Sequence, residues 1–181
     1  MPRHILAALV AAAALAGFSA PHAFAAPSPS NQDQTFLVQS HQGNLAEIAA
    51  GQDAGRHGTT ACVQRAGQTW VRDHTKLDAS VRKLAYATHT TLPTAPSAAQ
   101  QKELKAVQAK AGSSAYDSAW LKAQDAAHRK TLVAIDQQIK QGSKTSEVAA
   151  ARTARPVVAM HLDMVRGGVC HPMPQGTHHG G

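Results

Sequence analysis

Four metal-capable residues, Glu47, His74, His128 and His161, each fall within a long stretch of helical hydrophobic spacing. Neutral imidazoles with one carboxylate suit Zn, Cu or Fe, because these cations accept nitrogen donors readily. A di-iron site in a helical bundle needs more acid: a Glu from each of two helices and a Glu-x-x-His pair from each of the other two. Here Val71 precedes His74 by three and Val158 precedes His161 by three, and only Asp125-Ala126-Ala127-His128 approaches that pair. The set therefore fits one transition-metal ion, Zn, Cu or Fe, held by Glu47, His74, His128 and His161. Asp73 and Asp125 are placed to orient neighbouring imidazoles from behind. The alternative is a metal-free network in which His74 and His128 hydrogen-bond to Glu47, Gln124 or Asp125 and give register to a core made mostly of Ala and Val.

Long helices must position these residues. Val63, Trp70, His74, Leu77, Val81 and Leu84 recur at the spacing of a helix buried along one side, predicted over residues 59–88. An earlier helix from about Gln32 carries Phe36, Ser40, Gly43, Glu47, Ala50 and Ala54 on its inner row and ends at Gly55 and Gly58. Two prolines and Ser97 make a turn and then an N-cap for a short polar helix over residues 98–110. Ser114 with Asp117 has the form of a capping box and opens a third long helix, whose row holds Leu121, Gln124, His128, Leu132, Ile135 and Ile139. A fourth carries Glu147, Ala151, Ala154, Val158, His161 and Val165, with Pro156 expected to bend it or free a carbonyl. No stretch alternates with period two, so the class is all-α, and residues 32–166 are expected to form a four-helix bundle.

Residues 1–25 read as a signal peptide: Arg3, an apolar run over residues 5–18, and Ala23-Phe24-Ala25 before the expected cleavage. Residues 26–31 form a Pro/Ser linker, and residues 167–181 a flexible tail rich in His and Gly, whose His171, Met173, His178 and His179 can bind copper or zinc loosely. The mature protein is therefore expected outside the cytoplasm, secreted, periplasmic or associated with the cell envelope, with no transmembrane segment. A formal net charge of +7 raises the question of nucleic acid. The basic residues are scattered, aromatics make up only 4%, and no recognition helix is visible, so no nucleic-acid partner is expected. There is no His-Glu-x-x-His, no Gly-x-Ser-x-Gly and no phosphate loop, and no catalytic residue is assigned.

Several of these segments together resemble a known family. Asn44-Leu45-Ala46-Glu47-Ile48, Asp73-His74-Thr75, Leu92-Pro93, Tyr116-Asp117 with Trp120-Leu121, His128, and Pro156 followed by His161-Leu162 are similar, in order and spacing, to the bacterial exported family called domain of unknown function 4142. The resemblance covers residues 33–166. It implies a ferritin-like helical bundle and, as the family's name says, no established activity. Tyr116 stands where the family usually has Phe, and the cysteine pair and the His-rich tail lie outside its pattern.

Depth along the bundle separates two topologies. At about 1.5 Å per residue, Glu47 lies roughly 13 Å and His74 roughly 22 Å from the end shared by the first two helices. If residues 90–113 cross back over the bundle, His128 falls at roughly 21 Å and His161 at roughly 15 Å from that end, whereas an up-down bundle puts His161 near roughly 29 Å. The crossover gathers all four. The two cysteines, Cys62 and Cys170, supply a separate argument: both lie in the exported part, and a disulfide between them is expected. Such a bridge can form only if the second and fourth long helices are antiparallel, as the crossover makes them. The expectation is an exported ferritin-like bundle binding one transition-metal ion, the alternative being a metal-free structural or interaction protein of the envelope.

Overall fold

The computed structural model describes residues 31–171. The expected signal peptide, the linker up to Ser30 and the tail beyond His171 lie outside the described residues. Those that are described form helices α1 (Asn31–His57), α2 (Ala61–Ala87), α3 (Ala98–Gln108), α4 (Ala115–Gln141) and α5 (Thr145–Val165), then a 3-10 turn, Arg166–Gly168, and contain no strand.

The helix boundaries have local causes. Thr60 caps α2 by accepting from the Val63 N–H, and Ser97 with Gln100 forms a reciprocal capping box on α3. The capping box expected at Ser114 does not form. Ser114 has helical backbone angles, φ −63 and ψ −13, instead of the extended ones a cap needs, and its side chain makes no capping bond. Asp117 is drawn elsewhere: it accepts from the Thr59 N–H at 2.7 Å, the Thr60 N–H at 2.9 Å and the Thr60 hydroxyl at 2.6 Å. Pro156 removes one rung of α5 without ending it.

Those Asp117 bonds tie the start of α4 to the α1–α2 turn. At the opposite end, Asp33 near the start of α1 accepts from Gln138 Nε2 at 2.7 Å and from the Ser143 hydroxyl at 2.6 Å, between α4 and α5. The connection from α2 to α4, residues 88–114, thus runs back the length of the fold, and α2 and α4 point the same way. α5 returns, and Cys170 beyond it is joined to Cys62 in the first turn of α2. The chain after α5 is further hooked back by the His171 N–H, which donates to the Met164 carbonyl at 2.8 Å.

α1 packs most extensively on α2 and α4 on α5, with α1–α4 and α2–α5 contacts joining the two hairpins and α3 lying against α1 and α4. At the α1–α2 crossing two glycines face each other. A Cβ on Gly51 would lie 2.5 Å from the Gly67 carbonyl oxygen, and one on Gly67 would lie 2.6 Å from the Gly51 carbonyl oxygen. Backbone approach this close admits only glycine.

The core divides into two apolar clusters. Val63, Ala66, Trp70, Tyr116, Trp120 and Val165 anchor the one nearer the disulfide, and Phe36, Leu37, Val81, Ile135, Ala151 and Val158 the other. In sequence His74, His128 and His161 each fall between members of the two clusters, so a polar belt crosses the middle of the fold.

Candidate metal centre

α2, α4 and α5 each send one imidazole into this belt. His74, His128 and His161 are 3%, 1% and 0% exposed, and one nitrogen from each ring lies within 4.8 Å of one from each of the others. Ring centroids are 5.7 Å apart for His74 and His128, 5.1 Å for His74 and His161, and 5.4 Å for His128 and His161.

Hydrogen bonds fix which nitrogen faces inward. His74 Nδ1 is 2.9 Å from Asn44 Oδ1, and His128 Nδ1 is 2.9 Å from the Gln124 carbonyl oxygen. A carbonyl oxygen only accepts, so both rings carry their proton on Nδ1 and present a lone pair at Nε2. His161 is turned over: its Nε2 donates to Asp73 Oδ2 at 3.1 Å, which leaves the lone pair on Nδ1. The nitrogens without any partner are His74 Nε2, His128 Nε2 and His161 Nδ1. Buried polar atoms are almost always hydrogen-bonded, so three such acceptors in one belt ask for a common donor or cation.

Electrostatics keeps the rings neutral. Burial holds His74 well below the usual imidazole range, with His128 and His161 adding to the effect. Burial, then His161, pushes His128 down to about 3. Burial lowers His161 too, against the pull of Asp73, whose own carboxyl is held down first by Arg72. Neutral imidazole is the form that ligates.

Trp70 forms one wall, stacked on His161 at 4.2 Å with planes 17° apart and 5.0 Å from His128. Its indole N–H donates to Gln124 Oε1 at 2.7 Å, which holds the wall in place. Three nitrogens at the corners of a triangle of that largest edge lie about 2.8 Å from its centre, against about 2.0–2.1 Å for a Zn–N bond, so each ring need close by only about 0.7 Å.

Of the four residues expected to ligate, the structure brings together the three histidines, and Glu47 is not among the clustered donors. Asn44, one turn deeper on α1, stands behind His74 instead. Glu47 lines an adjoining cavity of about 590 Å³ whose wall also includes His74, Trp120 and Gln124. Its Oε2 has no partner, and burial, with Glu103 adding, raises it to about 8 although the Trp70 N–H opposes the shift. Asp73 holds an imidazole from behind. Asp125 does not: it pairs with Arg129 at 2.9 Å and accepts from the Gly167 N–H at 3.1 Å. Gln124, one of the partners expected for the histidines, meets His128 through its backbone carbonyl, while Asn44 is a partner the sequence analysis does not name, although an Asn at i−3 from Glu47 on the same helix face is a usable signal.

No helix among the described residues is long and apolar enough to cross a membrane. Neither the curated proteins nor the solved structures include a match to this chain. One family model matches residues 18–167, described as "Domain of unknown function (DUF4142)", and the chain belongs to that family.

Proposed function

We propose that this is an exported protein of ferritin-like, four-helix-bundle type that binds one transition-metal ion, Zn, Cu or Fe, through His74 Nε2, His128 Nε2 and His161 Nδ1. The observation that carries this reading is a cluster of three buried imidazoles, each with one unpartnered nitrogen and with its other nitrogen held by a separate hydrogen bond. Metal-binding histidines are held this way, with the outer N–H given to a carboxylate or carbonyl that fixes ring and tautomer. A purely structural network would use both nitrogens of each ring, and here each ring uses one. Three protein ligands leave a position open, the arrangement of sites that bind a further small molecule on the metal. Export is supported by the leader-like sequence of residues 1–25 and by the Cys62–Cys170 bridge, since oxidised cysteine pairs persist outside the cytoplasm.

The test is metal content. The mature chain, ended after His171 so that Cys170 is kept and the later histidines are gone, is purified without a metal-affinity column and dialysed against Zn, Cu or Fe in turn. One equivalent per chain is expected, falling to zero in His74→Ala and in His128→Ala. A chain that stays folded and empty with all three metals would refute the reading.

A further inference from the structure

The cavity beside the triad has two carboxylates in its wall, and they differ in depth. Glu103, on α3, is exposed, while Glu47, on α1, is 8% exposed with an oxygen that no donor reaches. His74 belongs to the same wall and is the one triad member that does. Exposure falls from the Glu103 carboxylate through the Glu47 carboxyl to the His74 imidazole. We propose that this cavity, whose wall draws on all five helices, is the route by which a divalent metal ion reaches the histidines, received at Glu103 and handed inward through Glu47. The inference rests on the metal-site reading above.

Three features favour this face. A carboxyl that burial and a neighbouring acid raise to about 8 lacks a positive partner, and an arriving cation supplies one. The chain is strongly basic, and Glu103, though flanked in sequence by Lys102 and Lys105, is the exposed acid of this cavity wall at which a cation can be received. An approach past Asp73 would meet Arg72, whose guanidinium donates to both Asp73 oxygens at 2.7 and 3.0 Å and repels a cation there. Lys130 also lines the cavity, about 9 Å further along α4 than Gln124.

A residue on a route changes association and dissociation together and leaves the equilibrium constant alone, whereas a ligand changes the constant itself. The experiment uses the mature full-length protein, stripped of metal, mixed with Co²⁺ alone in a stopped-flow instrument. The signal followed is the visible cobalt absorption that His74→Ala removes. Glu103→Gln is expected to slow association about threefold to tenfold, more at low than at high salt, and Glu47→Gln to slow it about as much but with little salt dependence, because the Glu47 carboxyl, raised to about 8, is neutral until the ion displaces its proton; the equilibrium affinity stays unchanged in both. Asp136→Asn, exposed and outside the cavity wall, should keep the wild-type rate. Wild-type rates in both glutamate variants would overturn the route, and so would a loss of affinity in Glu47→Gln at an unchanged rate, which makes Glu47 a ligand. A wild-type protein with no cobalt signal sensitive to His74→Ala would overturn the metal site itself, and the route with it.

Discussion

Acid should destabilise the metal-free protein through its neutral histidines, and His128 gives the size of the effect. Its folded value, about 3, lies below the 6.5 of a free imidazole. The unfolded chain therefore binds this proton more readily, so stability is lost as pH falls below about 6.5 and the loss levels off near about 3. At pH 5 the unfolded state gains a factor of about 30 in statistical weight, which is about 2 kcal/mol from this one ring. His74 and His161 are shifted in the same direction and add to it. Glu47 works the other way: raised to about 8 from 4.5, it favours the folded state as pH falls between those values. Comparison with His128→Gln removes that opposing contribution, because Glu47 is present in both proteins. Urea unfolding followed by fluorescence of the two buried indoles, Trp70 and Trp120, should show wild type losing about 2 kcal/mol more than the variant between pH 7 and pH 5. Parallel pH profiles would mean that His128 is protonated or solvated in the folded protein, and the neutral triad would be wrong.

Other perturbations test the supports of the site. Asp73→Ala removes the acceptor behind His161 and should weaken metal binding about 10- to 100-fold in a chelator competition, and unchanged affinity would deny Asp73 that role. Gly67→Ala gains up to about 1 kcal/mol of helix propensity but drives a methyl against the Gly51 carbonyl, an overpacking cost of about 1–3 kcal/mol. A net loss of about 1–2 kcal/mol is expected in urea melts, with a shift in Trp70 fluorescence, since α1 and α2 must part where Trp70 packs. Cys170→Ser opens a loop of about 100 residues and should cost up to about 4.7 kcal/mol, and a reductant should lower wild type to the variant's stability while leaving the variant as it was.

Much of the fold is legible in residue order because its punctuation is local: Gly58, the Ser97 cap, the prolines before it and Gly142 fall where the helices begin and end. The crossover is legible less directly, through the need to bring Cys62 and Cys170 to one end. The site is legible as a level along the helices but not as a set of contacts. Helical side chains lean toward the N-terminus of their own helix. On α2 and α4 that lean carries His74 and His128 toward the disulfide end, and on the oppositely directed α5 it carries His161 away from it. Rings about 6 Å apart by residue count therefore meet. Glu47 illustrates the limit of such counting. It lies about 4.5 Å short of Asn44 along α1, and that one turn puts an amide behind His74 and leaves the acid beside the cavity. Ser114 shows another limit, since a capping motif is silent when its backbone is already helical and Thr59 and Thr60 compete for its acid.

The most direct measurement of the central claim is X-ray absorption on the zinc-loaded chain ended after His171, which counts the ligands themselves. Three imidazole nitrogens at about 2.0–2.1 Å, with an oxygen completing the shell and no sulfur, is the result expected, and His161→Ala should remove one imidazole or all of the metal. Zinc bound by fewer than three imidazoles in the wild-type chain, or a shell unaltered by that substitution, would contradict the site.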